Sequence, residues 1–253
     1  MSAQQAPPEN GVLTARALHY AHDGSPALLG FSLCVRPGEI VEVTGPRGAG
    51  KSTLLGCLSG RLLPDTGEVC FDGMPLHTLP PSAREQLRLE RFGWIGSSPE
   101  LLPELTAWEN AALPLLLAGT GHRAARARAV EWLDRLDIGD CARRRPADLP
   151  QAVRQRVAVA RALVHKPSVV LADEPTAPLH SDDRAQVLRT LTSAARSHGI
   201  AVVLTAPERP VGGSGPANVP PADRTVTLVD GRGADAPGAA PGTEDRSACS
   251  LSA

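Results

Sequence analysis

A glycine-rich loop between two apolar segments constrains the fold of this chain more than any other feature. Residues 39–44 are rich in Ile and Val, which predicts a short buried strand, and residues 52–58 are predicted to form a helix. Between them the sequence follows the pattern G-x-x-x-x-G-K-[ST] without exception. A strand, a glycine loop and a helix in this order predict backbone N–H groups that converge on a phosphate group.

The residues of this loop have separate predicted roles. Lys51 supplies positive charge at the β and γ phosphates of a nucleotide, and the hydroxyl of Ser52 is a ligand for Mg²⁺. The helix that follows directs its positive N-terminus at the same anion. The complete predicted binding set is Gly45, Pro46, Arg47, Gly48, Ala49, Gly50, Lys51, Ser52 and Thr53.

Two carboxylates follow a second apolar run. Residues 168–172 are predicted to form a buried strand, and Asp173 and Glu174 come directly after it. Asp173 is predicted to hold Mg²⁺ through water, and Glu174 to orient and deprotonate an attacking water molecule. By itself this pattern is also typical of a solvated strand end. The phosphate loop upstream favours the catalytic interpretation.

The order of the remaining elements favours an α/β fold. Residues 11–35 are predicted to form antiparallel strands with a turn at 22–25, and a further strand is predicted at 200–204. Helices are predicted at 82–90, 122–136, 151–164 and 182–197. Such alternation predicts a mainly parallel sheet with flanking helices over residues 11–231. Residues 1–10 and 232–253 are predicted to be disordered tails, and 207–222 to be irregular.

Charge and hydropathy narrow the range of partners. Lys and Arg number 26 and Asp and Glu 27, which gives a net charge of −1. No global basic field therefore draws the chain to nucleic acid, and no nucleic-acid partner is expected. The N-terminal residues lack the apolar core of a signal peptide, and the longest apolar stretch, 111–118, is too short to span a bilayer. Membrane association is expected only through a partner.

With these motifs in place, the chain resembles the ATPases of ABC transporters over most of residues 12–231. The segments that carry the resemblance are Tyr20, residues 37–40 (PGEI), 64–69 (PDTGEV), 155–163 (QRVAVARAL), 173–176 (DEPT) and 222–224 (ADR), together with the phosphate loop. Residues 101–110 (LLPELTAWEN) are similar to those of the lipoprotein-release, macrolide-export and cell-division subfamily.

The resemblance implies an architecture and an activity. The fold is expected to be a P-loop NTPase with a RecA-like core, an antiparallel β subdomain and a helical subdomain at about residues 95–160. ATP and Mg²⁺ are the expected cofactors, and Tyr20 is expected to stack on adenine, although a tyrosine in a strand is also typical of a core. Two such domains are expected to dimerise around two ATP molecules and to drive a separate membrane permease. The chain would then be cytoplasmic, on the inner face of the plasma membrane.

Four family motifs are altered at the positions where they are expected. Ser97 stands where the family has a glutamine that reports to the metal and the membrane subunit. The LSGGQ signature is LPQAV at residues 149–153, so a hydroxyl is missing and Pro150 has no N–H group. His180 replaces the D-loop aspartate, and Ala206 replaces the switch histidine. Groups that bind Mg-ATP within the chain are retained, whereas groups that complete catalysis are changed.

Three functional hypotheses remain open at this point. The chain could be the ATPase subunit of an ABC transporter, as a homodimer or as a heterodimer with an intact partner. Alternatively, it is a nucleotide-binding regulatory or assembly module that barely hydrolyses ATP, or a neutral relic of a duplicated gene. A GTPase fits worse, because the guanine motif Asn-Lys-x-Asp is absent from the sequence.

Overall fold

The computed structural model describes residues 11–177, 179–207 and 222–235. These residues form ten strands: β1 (Leu13–His22), β2 (Ser25–Val35), β3 (Ile40–Gly45), β4 (Thr66–Phe71), β5 (Met74–Pro75), β6 (Phe92–Ile95), β7 (Val169–Ala172), β8 (Ala201–Pro207), β9 (Arg224–Val229) and β10 (Arg232–Asp235). They also form six α-helices: α1 (Lys51–Leu58), α2 (Pro81–Arg91), α3 (Ala107–Leu117), α4 (His122–Arg135), α5 (Gln151–Leu163) and α6 (Ser181–His198).

The larger sheet places the phosphate loop at its centre. Its strand order is β10-β9-β3-β8-β7-β6, and every pair is parallel except β10 with β9. Both faces of this sheet are buried. Along β7, for example, Val169 and Leu171 face one core, whereas Val170 and Ala172 face the other. Continuous apolar runs are therefore required, and this explains why β3, β7 and β8 were predictable from the sequence, whereas β6 and β9 had no predicted counterpart.

The smaller sheet is antiparallel, with the order β2-β1-β4-β5. The predicted turn at residues 22–25 is confirmed: His22 pairs with Ser25, and Asp23 and Gly24 have φ values of 47° and 84°. Two successive residues with positive φ form the tight turn that matches the twist of a hairpin, and an Asp-Gly pair adopts it readily. This turn places the end of β1 beside the phosphate loop.

Helices α3, α4 and α5 pack against one another on one face of the larger sheet. Helix α3 had no predicted counterpart, because Pro114 lies inside it and argues against a helix. Its start is fixed by a reciprocal capping box, in which the Thr106 and Glu109 side chains bind each other's backbone N–H groups. The division into a helical subdomain at 95–160 stays a prediction; the described helices in this region end at Leu163.

The C-terminal boundary differs from the sequence prediction. Residues 232–235 form β10, which pairs with β9 across a turn at Asp230 and Gly231, so the ordered domain continues past residue 231. The composition of this segment suggested a tail, but strand pairing stabilises it. The predicted tail at 1–10, the interior of the irregular stretch (208–221) and residues 236–253 lie outside the described residues. Among the described helices, none is both long and apolar enough to cross a membrane.

Candidate nucleotide-binding site

The phosphate loop connects β3 to α1 in a conformation that depends on glycine. Gly50 immediately precedes α1 and has a φ of 100°, which strains any other residue. A Cβ atom at Gly50 would lie 2.3 Å from the carbonyl oxygen of Ala27, and one at Gly45 would lie 2.1 Å from that of Leu228. The backbones of β2 and β9 therefore pack directly against the loop at these two positions, where only glycine fits. The loop is held from outside while its inner side stays open to the cleft.

Lys51 lies at the first position of α1 and is almost completely buried, with 6% of its surface exposed. Its Nζ donates to the carbonyl oxygens of Gly45 and Pro46 at 2.8 and 3.1 Å. Glu174 Oε1 lies 3.6 Å from the same nitrogen. A buried ammonium group needs such partners because burial without them is costly. The charge is thus held in place beside the loop before any anion arrives.

The two predicted carboxylate residues follow β7, and both form a hydrogen bond with a residue of the neighbouring strand, Asp173 through its carboxylate and Glu174 through its backbone. Thr205 Oγ1 donates to Asp173 Oδ1 at 2.8 Å and accepts from the Glu174 N–H, also at 2.8 Å. Glu174 has a φ of 44°, an uncommon conformation for a residue with a side chain. Thr205 was not predicted as a site residue. Its only signal was a hydroxyl at the end of an otherwise apolar strand.

These elements surround one cleft of about 700 Å³. Its walls come from the β1–β2 turn, the phosphate loop, the segment after β6, the end of β7 and the end of β8. The lining residues are His22, Ser25, Pro26, Ala27, Arg47, Gly48, Gly50, Lys51, Ser52, Thr53, Ser97, Asp173, Glu174 and Pro207. The structure therefore brings Ser52, Thr53 and both carboxylates together, as the sequence predicted. Gly45, Pro46 and Ala49 belong to the supporting side of the loop.

Tyr20 is not among the described residues that line the cleft, and its stacking role stays a prediction. Its ring lies behind His22, with centroids 4.8 Å apart and planes at 75°. His22 itself lines the cleft, and its Nε2 lies 3.0 Å from Thr53 Oγ1. The sequence analysis did not identify His22. A histidine at the turn of a hairpin carries no recognisable signal until the hairpin is placed against α1.

The donor set fits a polyphosphate and a hard divalent cation. The loop offers backbone N–H groups, a helix N-terminus and the Lys51 ammonium, which together match an anion. Ser52 and Asp173 offer a hydroxyl and a carboxylate, and Mg²⁺ characteristically combines one or two such oxygens with phosphate oxygens and water. The two carbonyl partners of Lys51 are compatible with phosphate binding, because an ammonium group has three N–H donors and one of them remains for a phosphate oxygen.

The altered motifs remain folded. Ser97 lines the cleft, and Ala206 pairs with Thr44 in the sheet. Pro150 stands immediately before α5, where a missing N–H group costs little. His180 occupies the corresponding position before α6. What changes at these positions is therefore the chemistry that they present, while the helices and strands that carry them are retained.

Gln155 connects α5 to the cleft. Its side chain is fully buried, and Nε2 donates to the carbonyl oxygens of Gly96 at 2.8 Å and Pro175 at 3.0 Å. One of these residues precedes Ser97, and the other follows Glu174. The sequence analysis used Gln155 only as part of a family motif. The contacts show that α5 is tied to the two loops that carry Ser97 and Glu174.

Comparison with known proteins agrees with this geometry. Residues 28–177 match the family described as ABC transporter. The ATP-binding protein LolD 2 of the lipoprotein-releasing system of Caulobacter vibrioides is 41% identical over 179 residues, 71% of this chain and 78% of that protein. The ABC transporter ATP-binding protein Rv2564 of Mycobacterium tuberculosis is 40% identical over 200 residues, 79% of this chain. This match spans only 58% of the Mycobacterium protein.

Solved structures extend the agreement to the fold. The dimeric ATP-binding cassette MJ0796, determined with ADP and Pi, superimposes with a TM-score of 0.77 at 29% identity. The superposition covers 87% of this chain and 96% of that one. The fold comparison and the sequence match thus identify the same family. The chain belongs to the ABC transporter family.

Proposed function

We propose that this chain is the ATP-binding subunit of an ABC transporter, which binds Mg-ATP and couples it to a separate membrane permease. The observation that carries the proposal is the cleft in which Lys51 and Ser52 face Asp173 and Glu174. A phosphate-binding loop alone would fit many proteins. The paired carboxylates beside that loop add the groups that hydrolysis requires; Thr205 binds the Asp173 carboxylate and the backbone N–H group of Glu174.

Each group has a defined part in the proposed reaction. The loop N–H groups and Lys51 hold the phosphates, and Ser52 and Asp173 hold Mg²⁺. The cation, when bound, offsets negative charge on the phosphate oxygens. Glu174 accepts a proton from the attacking water and orients it, while Lys51 stays within 3.6 Å of that carboxylate before nucleotide binds.

Hydrolysis by the isolated chain is expected to be weak. A second ATP-binding subunit would have to supply N–H and hydroxyl donors to the γ-phosphate, and the tip of α5 lacks the hydroxyl and one N–H group of the family signature. Removing one donor of developing charge costs on the order of 10²–10³ in rate, and several losses combine without being additive. A heterodimer with an intact signature would repair the site on this chain only in part, since Ser97 and Ala206 remain.

A groove on the other side of β6 suits the permease. It has a volume of about 320 Å³ and lies between α2, β6, α3 and the end of α5. The residues around it are Arg88, Leu89, Phe92, Gly93, Trp94, Leu113, Pro114, Arg161, Ala162 and His165. This lining is apolar with basic side chains, so it is complementary to a short permease segment that carries apolar and acidic residues. Because β6 leads directly to Ser97, the groove and the cleft share one strand.

Calorimetry with ATP, in the presence and absence of Mg²⁺, tests the nucleotide half of the proposal. Saturable binding that strengthens with Mg²⁺ is expected. Absence of ATP binding by the folded protein would contradict the proposed function.

The permease half is tested separately, by sedimentation with membranes from the cells that produce the protein. Leu113→Asp changes the groove and not the cleft, so it should reduce sedimentation without changing ATP affinity. Equal sedimentation of wild type and variant would show that the groove is not the attachment surface.

A further inference from the structure

Gln155 is the only polar side chain among the buried residues of α5. It is fully buried, and both N–H groups of its Nε2 atom are used, for the carbonyl oxygens of Gly96 and Pro175. Its Oε1 has no hydrogen-bond partner among the described residues. Because a polar group is costly to bury unless hydrogen bonds compensate, these two bonds account for an amide at this position. Both bonds connect the helix to other segments.

The segment after β6 is held by α5 at two points. Gln155 binds the Gly96 carbonyl group at 2.8 Å, at the start of this segment. Further along the helix, Arg161 donates to the carbonyl oxygens of residues 99–100, each at 3.0 Å. Ser97, which lines the cleft, lies between these contacts. The part of the chain that carries Ser97 is therefore fixed on α5 at both ends.

The segment after β7, which carries Asp173 and Glu174, is joined to α5 by Gln155. The backbone bonds between β6 and β7 extend as far as the Asp173 N–H group, which donates to the Ile95 carbonyl oxygen at 2.7 Å. Beyond this point, Gln155 Nε2 bridges the two segments. The position of the Glu174 segment relative to the Ser97 segment therefore depends on this side chain.

The backbone of Glu174 itself needs such support. Its φ of 44° is uncommon for a residue with a side chain, and a conformation of this kind persists only where the surroundings enforce it. Thr205 binds the N–H group of Glu174, and Gln155 binds the carbonyl group of the next residue, Pro175, at 3.0 Å. The two bonds lie on either side of the Glu174 Cα atom, and together they hold its conformation.

We propose that Gln155 is a positioning residue of the nucleotide site, which holds Asp173 and Glu174 in place at the metal side of the cleft. This inference rests on the proposed function, Mg-ATP binding. The phosphate loop has separate supports, because it packs against β2 and β9, whereas Gln155 forms its hydrogen bonds elsewhere. The two sides of the cleft can thus be perturbed separately.

Amide hydrogen exchange of the nucleotide-free full chain, followed by mass spectrometry, tests the positioning directly. Gln155→Met keeps the length of the side chain and removes its donors. Peptides that cover residues 173–177 should exchange about tenfold faster, the size expected for loss of one or two hydrogen bonds. The amides of Glu174 and Ala177 report this change, since both are hydrogen-bonded. The phosphate loop, residues 45–52, should exchange as in wild type.

Calorimetry with ATP tests the consequence for binding. The ratio of the ATP affinities with and without Mg²⁺ measures the contribution of the metal side. Gln155→Met should reduce this ratio by about fivefold and should leave the affinity without Mg²⁺ within about twofold of wild type. Val157→Ala is the matched control. Val157 is buried in the core on the same helix, so this variant loses stability and keeps the bridge, and its ratio should not change.

Gln155→Asn repeats both measurements if Gln155→Met does not fold. It keeps an amide, but its shorter side chain cannot reach both carbonyl groups. Unchanged exchange of residues 173–177 in a folded variant would overturn the inference. An equal loss of ATP affinity with and without Mg²⁺ would also overturn it, because a residue that only stabilises the fold acts on both. If the wild type binds no ATP, the proposed function fails and the role in nucleotide binding fails with it, whereas the exchange result still decides whether Gln155 holds the segment.

Discussion

Two helix N-termini, those of α1 and α5, differ in chemistry although both are well-formed helix starts. Helix α1 begins after Gly50 with Lys51 and Ser52, so its tip presents N–H groups, a cation and a hydroxyl to the cleft. Helix α5 begins after Pro150 with Gln151 and Ala152, where the family has a serine and two glycines. The first tip presents a cation and a hydroxyl to a phosphate, whereas the second has neither and lacks the N–H group of one residue, Pro150.

The comparison shows that the residues that stabilise a helix differ from the residues that determine the chemistry of its N-terminus. Helix α5 is stabilised by its apolar face, since Val157, Ala160 and Leu163 are buried in the core. Of the altered residues, Ala152 and Val153 are only partly buried against this core, so the tip can change without loss of the helix. The tip of α1 lacks this freedom, because Gly50 lies against the backbone of β2.

The largest expected effect comes from removing the charge at the tip of α1. Lys51→Ala should weaken Mg-ATP binding on the order of a hundredfold, because charge-assisted hydrogen bonds to the phosphates are lost. Titration calorimetry measures it. Lys166 is the other lysine in the sequence and is exposed, so Lys166→Ala is the matched control and should bind normally. Equal affinity of Lys51→Ala and wild type would exclude the phosphate-loop assignment.

The second effect concerns the tip of α5. Pro150→Ser, Gln151→Gly, Ala152→Gly and Val153→Gln together restore donors, and should strengthen ATP-dependent dimerisation by roughly tenfold, as two modest hydrogen bonds would. Light scattering in a Glu174→Gln background measures dimer formation, and the unrestored tip in that background is the control. Hydrolysis should return only partly, because Ser97 and Ala206 are unchanged.

The same experiment can contradict the role that the comparison gives to the α5 tip. If the restored tip makes no difference to dimerisation, the α5 tip does not face a second nucleotide. Thermal unfolding of the restored variant must be measured alongside, since glycines within a helix cost about 1 kcal/mol each. A folded variant without stronger dimerisation would therefore count against the two-subunit arrangement, whereas the helix itself would be intact.

The sequence predicted the parts of the site that lie close together along the chain. The phosphate loop and the Asp173-Glu174 pair are local patterns, next to apolar strands that must be buried on both faces. His22, Thr205 and Gln155 were missed because their partners are distant in sequence: Thr205, for example, binds Asp173 across two neighbouring strands. Helix α3 was missed for a local reason, since Pro114 opposes a helix that tertiary packing nevertheless stabilises.

A smaller effect concerns the C-terminal end of α5, where a buried histidine should make the stability of the protein depend on pH. Burial lowers the pKa of His165, just after α5, and its Nε2 lies 3.1 Å from the carbonyl oxygen of Phe92. The unfolded chain therefore binds a proton at a higher pH than the folded one, near the ordinary value of about 6.5. Stability is complete above this pH and is lost as the pH falls through it towards the lower, folded-state pKa.

His165→Gln tests this pH dependence. Between pH 7 and pH 5 the melting temperature of wild type should fall by on the order of 1–2 °C more than that of the variant. Gln keeps a donor for the Phe92 carbonyl group, so the comparison isolates the titration. An equal dependence of the melting temperature on pH in wild type and variant would show that folding does not lower the pKa of His165.

The smallest expected effect is that of Glu174→Gln on ATP hydrolysis, and it tests whether the α5 tip limits the reaction. The chain alone should hydrolyse Mg-ATP slowly, and Glu174→Gln should change that rate by less than about twofold, because a general base matters only when the rest of the transition-state site is present. Ala206 and Pro150 lack donors that would complete it, and the Ser97 side chain is shorter than that of the expected glutamine. Phosphate release by the purified chain is the measurement, and ATP affinity is the control.

Since Glu174 lies 3.6 Å from Lys51 and adds negative charge near the phosphates, its neutralisation should leave ATP binding equal or slightly tighter. Vigorous hydrolysis that Glu174→Gln abolishes would show that the intact tip of α1 suffices, and that the altered tip of α5 does not limit the reaction.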